Sequence, residues 1–184
     1  MLEVNPVQIY NDIVDEDLCL KLINVTNLLA TKKLGLGQKD FKNKAVRNVL
    51  GYSLNLQDTN DLKIVNLVST QIYSCLLDYK DKFVELVLNG VDQVDLLKYE
   101  TGGEYVKHID QDHAMNRVLS FIINLNEGYE GGEICFYNPQ TGQPLEPISL
   151  KRGDVIFFPS NFLYPHAILP VIQKTRFSIV GWLN

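Results

Sequence analysis

Histidine and cysteine are scarce in this chain, three of each in 184 residues, and tryptophan occurs once. The cysteines, Cys19, Cys75 and Cys135, are far apart and odd in number, with no CxxC pair. That pattern gives neither a disulfide framework nor a zinc knuckle and suits a reducing compartment. The opening "MLEVNPVQIYNDIVDEDL" lacks the basic start and apolar run of a signal peptide. No apolar stretch approaches the roughly 20 residues of a membrane-spanning helix, so a cytoplasmic protein without membrane attachment is expected. Basic residues are outnumbered, 17 against 22 acidic, for a net charge of −5. This disfavours a general nucleic-acid binder. Repeats, low-complexity tracts and linkers are also missing, so one domain over residues 1–184 is expected.

What is present falls into two halves. "DEDLCLKLINVTNLLA" has acidic residues at its start and apolar residues at helical spacing, which predicts a helix from about Asp15 to Ala30. "NDLKIVNLVSTQIYSCLLDYKDKF" repeats the pattern with Ile64, Leu67, Val68, Ile72, Cys75 and Leu76 and predicts a second amphipathic helix. Between them, "TKKLGLGQKDFKNKAVRNVLGYSLN" reads as a basic, glycine-punctuated loop followed by a short strand. Its span 31–48 is long enough to act as a lid over a site. Residues 1–90 are therefore expected to be mainly helical support and loop.

From residue 91 the pattern changes to short strands. They are expected at "VDLLKYE", "EYVKHID", "RVLSFIINLN", "GEICFYN", "PISL", "DVIFFP", "YPHAIL" and "TRFSIVGWL", separated by turn-forming "TGG", "EGYEGG", "NPQTGQP" and "KRG". Eight strands after two helices predict an α+β fold: a double-stranded β-helix, or jelly roll, with the N-terminal helices packed on one face.

Two of the three histidines lie in "YETGGEYVKHIDQDH". In a strand, residues i and i+2 share a face, so His108 and Asp110 are expected to project side by side. With a second imidazole from another strand they would form a two-histidine, one-carboxylate triad that leaves open positions on a metal such as non-haem Fe(II). His166, in a strand near the end of the chain, can supply it, because strands distant in sequence are neighbours in a jelly roll. His113 is expected in a loop beyond the strand. A His-x-Asp tripeptide alone is weak support, and a single histidine is more often packed in a core than a ligand. The tail adds weight: "RFS" places Arg176 and Ser178 on one face of the last strand, a guanidinium and a hydroxyl suited to the far end of a dicarboxylate. Phe136, Phe157, Phe158 and Ile168 can exclude water around such a site, although a jelly-roll core needs them equally.

The run "Y..GG.Y..H.D", "R......NLN", "GGE..F", "H...PV....R" and a late "W" resembles the Fe(II)/2-oxoglutarate dioxygenases of the prolyl 4-hydroxylase type over about Val94 to Asn184. The resemblance implies that His108, Asp110 and His166 bind Fe(II) and that Arg176 holds the distal carboxylate of 2-oxoglutarate. It implies further that Tyr99 borders the co-substrate pocket, Trp182 forms a wall of it, and Arg117 stands near the substrate entrance. Asn124 departs from the pattern, since relatives often place a tyrosine there that touches 2-oxoglutarate; Ser178 is a substitute donor. The implied chemistry couples O₂-dependent decarboxylation of 2-oxoglutarate to succinate with hydroxylation of a C–H bond, with ascorbate as reductant. A peptide or protein substrate, hydroxylated at proline, is the expectation. The alternatives are a free amino acid or small metabolite, a non-catalytic cupin-like metal or ligand module, and a nucleic-acid demethylase, the last disfavoured by the acidic charge.

Overall fold

The computed structural model describes residues 4–34, 47–111 and 116–184. Two helices are built where the apolar spacing puts them. α1 (Glu16–Leu29) starts at Asp15, whose carboxylate accepts from the Leu18 N–H, and buries Cys19, Leu22 and Thr26 along one stripe. α2 (Thr59–Lys82) is capped by Asp58 and buries Val65, Val68, Ile72, Cys75 and Tyr79. Lys80 and Lys82 in its last turn complement the negative end of its dipole.

Thirteen strands surround them among the described residues: β1 (Gln8–Tyr10), β2 (Lys32–Lys33), β3 (Arg47–Asn48), β4 (Leu50–Ser53), β5 (Val91–Tyr99), β6 (Glu104–His108), β7 (Leu119–Asn124), β8 (Glu130–Gly131), β9 (Ile134–Phe136), β10 (Val155–Pro159), β11 (His166–Ile168), β12 (Val171–Gln173) and β13 (Arg176–Leu183). They form an antiparallel seven-stranded sheet in the order β1-β10-β7-β13-β5-β4-β2, a four-stranded sheet β3-β6-β11-β9, and the pair β12-β8. This is the expected double-stranded β-helix braced by helices.

The central strands β5, β7, β10 and β13 of the large sheet are mostly buried on both faces, which is why β7, β10 and β13 read as nearly unbroken apolar runs. Parity divides them. Val94 and Leu96, Leu119, Phe121 and Ile123, Val155 and Phe157, and Phe177 and Ile179 pack with α1 and α2 in one core. The alternate residues, among them Leu97, Tyr99, Ile122, Ile156, Phe158, Val180 and Trp182, face the small sheet and pack with Ile134, Phe136 and Ile168 in a second core. Phe157 therefore belongs to the helix side and has no part in shielding the histidines, because it is one residue out of phase with Phe158.

Two expectations change. The first half holds more strand than the one short strand expected after the basic loop: β1, β2, β3 and β4 extend both sheets. "PISL" is not a strand, since Ile148 makes only an isolated bridge to Ile134. The short β8 and β12 pair through "EGG" and "VIQ", too brief for alternation to reveal. The part of the 31–48 loop between residues 35 and 46 lies outside the described residues, as does His113.

Candidate active site

The inward face of the jelly roll carries polar groups that a core would not otherwise tolerate. β6 and β11 are antiparallel neighbours in register His166↔His108, which sets two imidazoles side by side with ring centroids 4.3 Å apart. Asp110 joins them from just beyond the end of β6. The strand does not continue to it as expected, because the β11 ladder begins at His166 and offers no partner further on. The chain bends instead, and the Gln111 N–H donates to the Ser160 carbonyl at 3.0 Å. Asp110 still reaches both rings. Its Oδ1 lies 3.4 Å from His108 Nε2 and its Oδ2 3.6 Å from His166 Nε2. One ligand atom from each of the three residues lies within 4.8 Å of the others.

Both imidazoles are fixed by what their other nitrogen meets. His108 Nδ1 is 2.9 Å from the Val106 carbonyl, and His166 Nδ1 is 3.1 Å from that of Tyr164. A carbonyl only accepts, so each Nδ1 carries the proton and each Nε2 turns a lone pair toward the other donors. His108 stacks on Tyr105 at 3.6 Å, while His166 is wedged between Phe136 and Phe158. Burial, with His108 beside it, pushes the His166 pKa down to about 4, against the attraction of Asp110. Burial by itself would raise the Asp110 pKa, but His166, His108 and the Ser120 hydroxyl outweigh it and hold the carboxyl well below its usual range. At neutral pH His166 is therefore a neutral imidazole and Asp110 a carboxylate. That is a donor set with an affinity for a divalent transition metal and the protonation state metal binding requires.

Arg176 and Ser178 project into the same cavity from β13. The Arg176 side chain is buried, donates one hydrogen bond to Ser178 Oγ at 3.0 Å, and lies 5.2 Å from the centre of the Tyr99 ring. Its Nε has no partner among the described residues. Among the described residues it forms no ion pair with a carboxylate. A buried guanidinium left in this condition is costly unless an anion arrives. The cavity holds about 20 Å³ of free space, enough for roughly one water. A five-carbon dicarboxylate therefore enters only as lining side chains shift. Larger surface concavities, up to about 450 Å³ beside Glu127–Glu133 and Lys151, contain no histidine and do not adjoin the triad.

The remaining residues singled out from sequence divide. Tyr99 and Trp182 line the cavity. Arg117 does not: its buried guanidinium donates to Asp92 at 2.9 Å, to Gln93 at 3.0 Å and to the Asp110 carbonyl at 3.5 Å, and stacks 3.7 Å from the Trp182 ring centre. It braces the wall that substrate would meet. Asn124 is also occupied, donating to the carbonyls of Asn126 and Leu150 and accepting from Tyr129. Sequence reasoning missed Arg47, Tyr105, Ser120 and Ser160. Arg47 lines the cavity, pairs with buried Asp95 at 3.6 Å, and sits over Tyr105. In the sequence it is one more charge of a basic loop. Ser120 did leave a signal, a hydroxyl inside the apolar run "VLSFII".

The sequence profile of the 2OG-Fe(II) oxygenase superfamily matches residues 94–184, the segment carrying the triad and Arg176. The chain belongs to this superfamily. It is a 2-oxoglutarate-dependent dioxygenase of the prolyl hydroxylase type. A PKHD-type hydroxylase of Prochlorococcus marinus is 29% identical over 179 residues, covering 95% of this chain and 76% of its own. Others are longer relative to the matched part: a PKHD-type hydroxylase of Idiomarina loihiensis, 31% identical over 99 residues, is covered over 43% of its length against 51% of this chain. Two solved structures share the fold. A prolyl-4-hydroxylase of Pseudomonas putida superposes with a TM-score of 0.74 at 19% identity, over 100% of this chain and 94% of that one. A Trichoplax adhaerens prolyl hydroxylase, in complex with a hypoxia inducible factor oxygen degradation domain peptide fragment, gives 0.79 at 18% identity, over 99% and 84%. No helix among the described residues is long and apolar enough to cross a membrane.

Proposed function

We propose that this dioxygenase hydroxylates a prolyl residue within a peptide, with Fe(II) held by His108, Asp110 and His166 and 2-oxoglutarate anchored by Arg176 and Ser178. The observation that carries the reading is the buried Arg176 guanidinium, without a carboxylate among the described residues, sharing one cavity with the triad. It is the anion site that a dicarboxylate chelating a nearby metal needs, and a simple metal-binding module has no use for it. When bound, Fe(II) supplies the redox centre that couples O₂ and 2-oxoglutarate to C–H oxidation, with ascorbate keeping it ferrous. The residues of the chain do the rest. The two Nε2 atoms and Asp110 offer the metal three donors, Tyr99 forms the face along which the co-substrate lies, and Phe136, Phe158 and Ile168 keep water from the histidine side.

A peptide is favoured over a free amino acid by the charges around the cavity. Arg47 is paired with Asp95, and Arg117 with Asp92. Among the described residues, that leaves Arg176 as the cation of the site without a carboxylate, and the co-substrate claims it. A free amino acid would bring a second carboxylate with no such partner, whereas a peptide group is neutral and asks only for hydrogen bonds. A relative from Caenorhabditis elegans, 29% identical over 127 residues that make up 66% of this chain and 17% of its own, is a hypoxia-inducible factor prolyl hydroxylase. That likeness supports proline as the residue acted on. The test is incubation with Fe(II), 2-oxoglutarate and ascorbate, comparing proline-containing peptides with free proline. Succinate formation accelerated by peptide, with a product heavier by one oxygen atom, is expected. Acceleration by free proline alone refutes the peptide assignment.

A further inference from the structure

The Asp110 carboxylate is held by a relay that begins two strands away. Ser120 Oγ, on the inward face of β7, lies 2.7 Å from Asp110 Oδ2, and Ser160 Oγ lies 2.8 Å from Ser120 Oγ. All three groups are buried, at 7% exposure for Asp110, 0% for Ser120 and 1% for Ser160. The direction of the relay follows from valence. An ionised carboxylate only accepts, so the single hydroxyl proton of Ser120 goes to Oδ2. Ser160 must then donate to Ser120. Each hydrogen bond polarises the next, which strengthens the one that reaches the carboxylate.

Ser160 is itself pinned by the backbone at both sides. Its N–H donates to the Val118 carbonyl at 3.1 Å, and its carbonyl accepts from Gln111, the residue after Asp110. Three segments therefore meet at this one hydroxyl pair: the bend that carries Asp110, the start of β7, and the loop leading to His166. Asp110 needs such support, since it lies outside the ladder that fixes His108.

We propose that Ser120, backed by Ser160, is a positioning residue that occupies Asp110 Oδ2 and presents Oδ1 alone to the metal. This rests on the reading of His108, Asp110 and His166 as metal ligands. The consequence concerns vacancies. A carboxylate free to bind through both oxygens would take a further coordination position. A 2-oxoglutarate dioxygenase needs three open ones, two for the chelating co-substrate and one for O₂. Holding Oδ2 back preserves that number.

The experiment uses the full chain and Mn(II) alone, a redox-stable divalent probe of nitrogen and oxygen ligands. Affinity is measured by titration, and the number of metal-bound waters by water-proton relaxation of the Mn(II) complex. Ser120→Ala should weaken Mn(II) roughly 10- to 100-fold, the usual effect of removing a group that orients a ligand. The bound ion should carry fewer waters than in the parent. Ser160→Ala should act in the same direction but less, and Ser120→Thr, which keeps the hydroxyl, should restore parental behaviour. A folded Ser120→Ala with parental affinity and parental water count overturns the proposal. Should Ser120→Ala fail to fold, Ser160→Ala decides: weaker Mn(II) binding supports the relay, and unchanged binding overturns it. The parent and His166→Ala run alongside. A parent that does not bind Mn(II) refutes the ligand reading itself, and this proposal with it. A parent that binds, beside an unaffected Ser120→Ala, refutes the relay alone.

Discussion

Replacing Arg176 by methionine, which keeps most of the length and volume of the side chain but none of its charge, should move stability and co-substrate binding in opposite directions. The guanidinium is buried, is 3.0 Å from one hydroxyl and 5.2 Å from the centre of one aromatic ring, and has no carboxylate partner among the described residues. Exchanging poorly compensated buried charge for packed apolar atoms is commonly stabilising by about 1–4 kcal/mol. For a domain of this size each kcal/mol is about 2–4 °C in Tm. The loss of the charged hydrogen bonds should weaken 2-oxoglutarate by about 1.5–3 kcal/mol, or roughly 10- to 150-fold. Urea unfolding of the ligand-free variant gives the first quantity, and titration of 2-oxoglutarate into metal-loaded protein gives the second. Arg176→Lys should fall between, keeping the charge but not the planar fork. A methionine variant that is clearly less stable than the parent would show that the guanidinium is already satisfied without ligand, and the argument for an anion site would fail. Parental affinity for 2-oxoglutarate would fail it more directly.

Alanine at His108, Asp110 or His166 should each remove most Fe(II) binding in a metal titration, whereas His113→Ala should retain it; equal loss at His113 would show the wrong histidine in the triad. Arg117→Ala should destabilise the fold by about 2–3 kcal/mol in urea, since it breaks a mostly buried network with Asp92 and Gln93, while leaving 2-oxoglutarate affinity within about threefold. A variant of parental stability would contradict the bracing role. Burial pushes the Cys19 thiol up to about 11, an effect that Arg152 opposes. Its folded-state pKa is raised, so its contribution is complete below about pH 8.5 and is lost as pH rises through 11. Between pH 8 and 10.5 Cys19→Ala should therefore lose about 2 kcal/mol less unfolding free energy than the parent, and equal losses would refute the shift.

Periodicity alone located both helices to within a residue or so. Asp15 and Asp58 mark their starts through cap chemistry that is local in sequence, and the buried stripes from Cys19 to Thr26 and from Val65 to Tyr79 repeat at helical spacing. The central strands of the large sheet, β5, β7, β10 and β13, were equally plain, because burial on both faces makes them long and largely apolar. The short strands were not. β2, β8 and β12 hold two or three residues each, and only their neighbours make them strands.

The cluster of His108, Asp110 and His166 was legible as residue types in order, and Arg176 with Ser178 as a same-face pair, because strand parity is a property of the sequence. What parity could not give was which face points inward. That came from the register of β13 against β5 and β7, which turned Arg176, Ser178 and Trp182 toward the small sheet and Phe177 and Ile179 toward the helices. The pairing His166↔His108 was likewise a matter of topology, since nothing local to either residue specifies a partner 58 positions away. The balance of charge around the cavity was decided latest of all. Arg47, Arg117 and Arg176 are the same residue in the sequence. Only the tertiary structure gave Asp95 to the first and Asp92 to the second, and left the third buried without a carboxylate among the described residues, because ion pairs depend on distance and burial rather than on order along the chain.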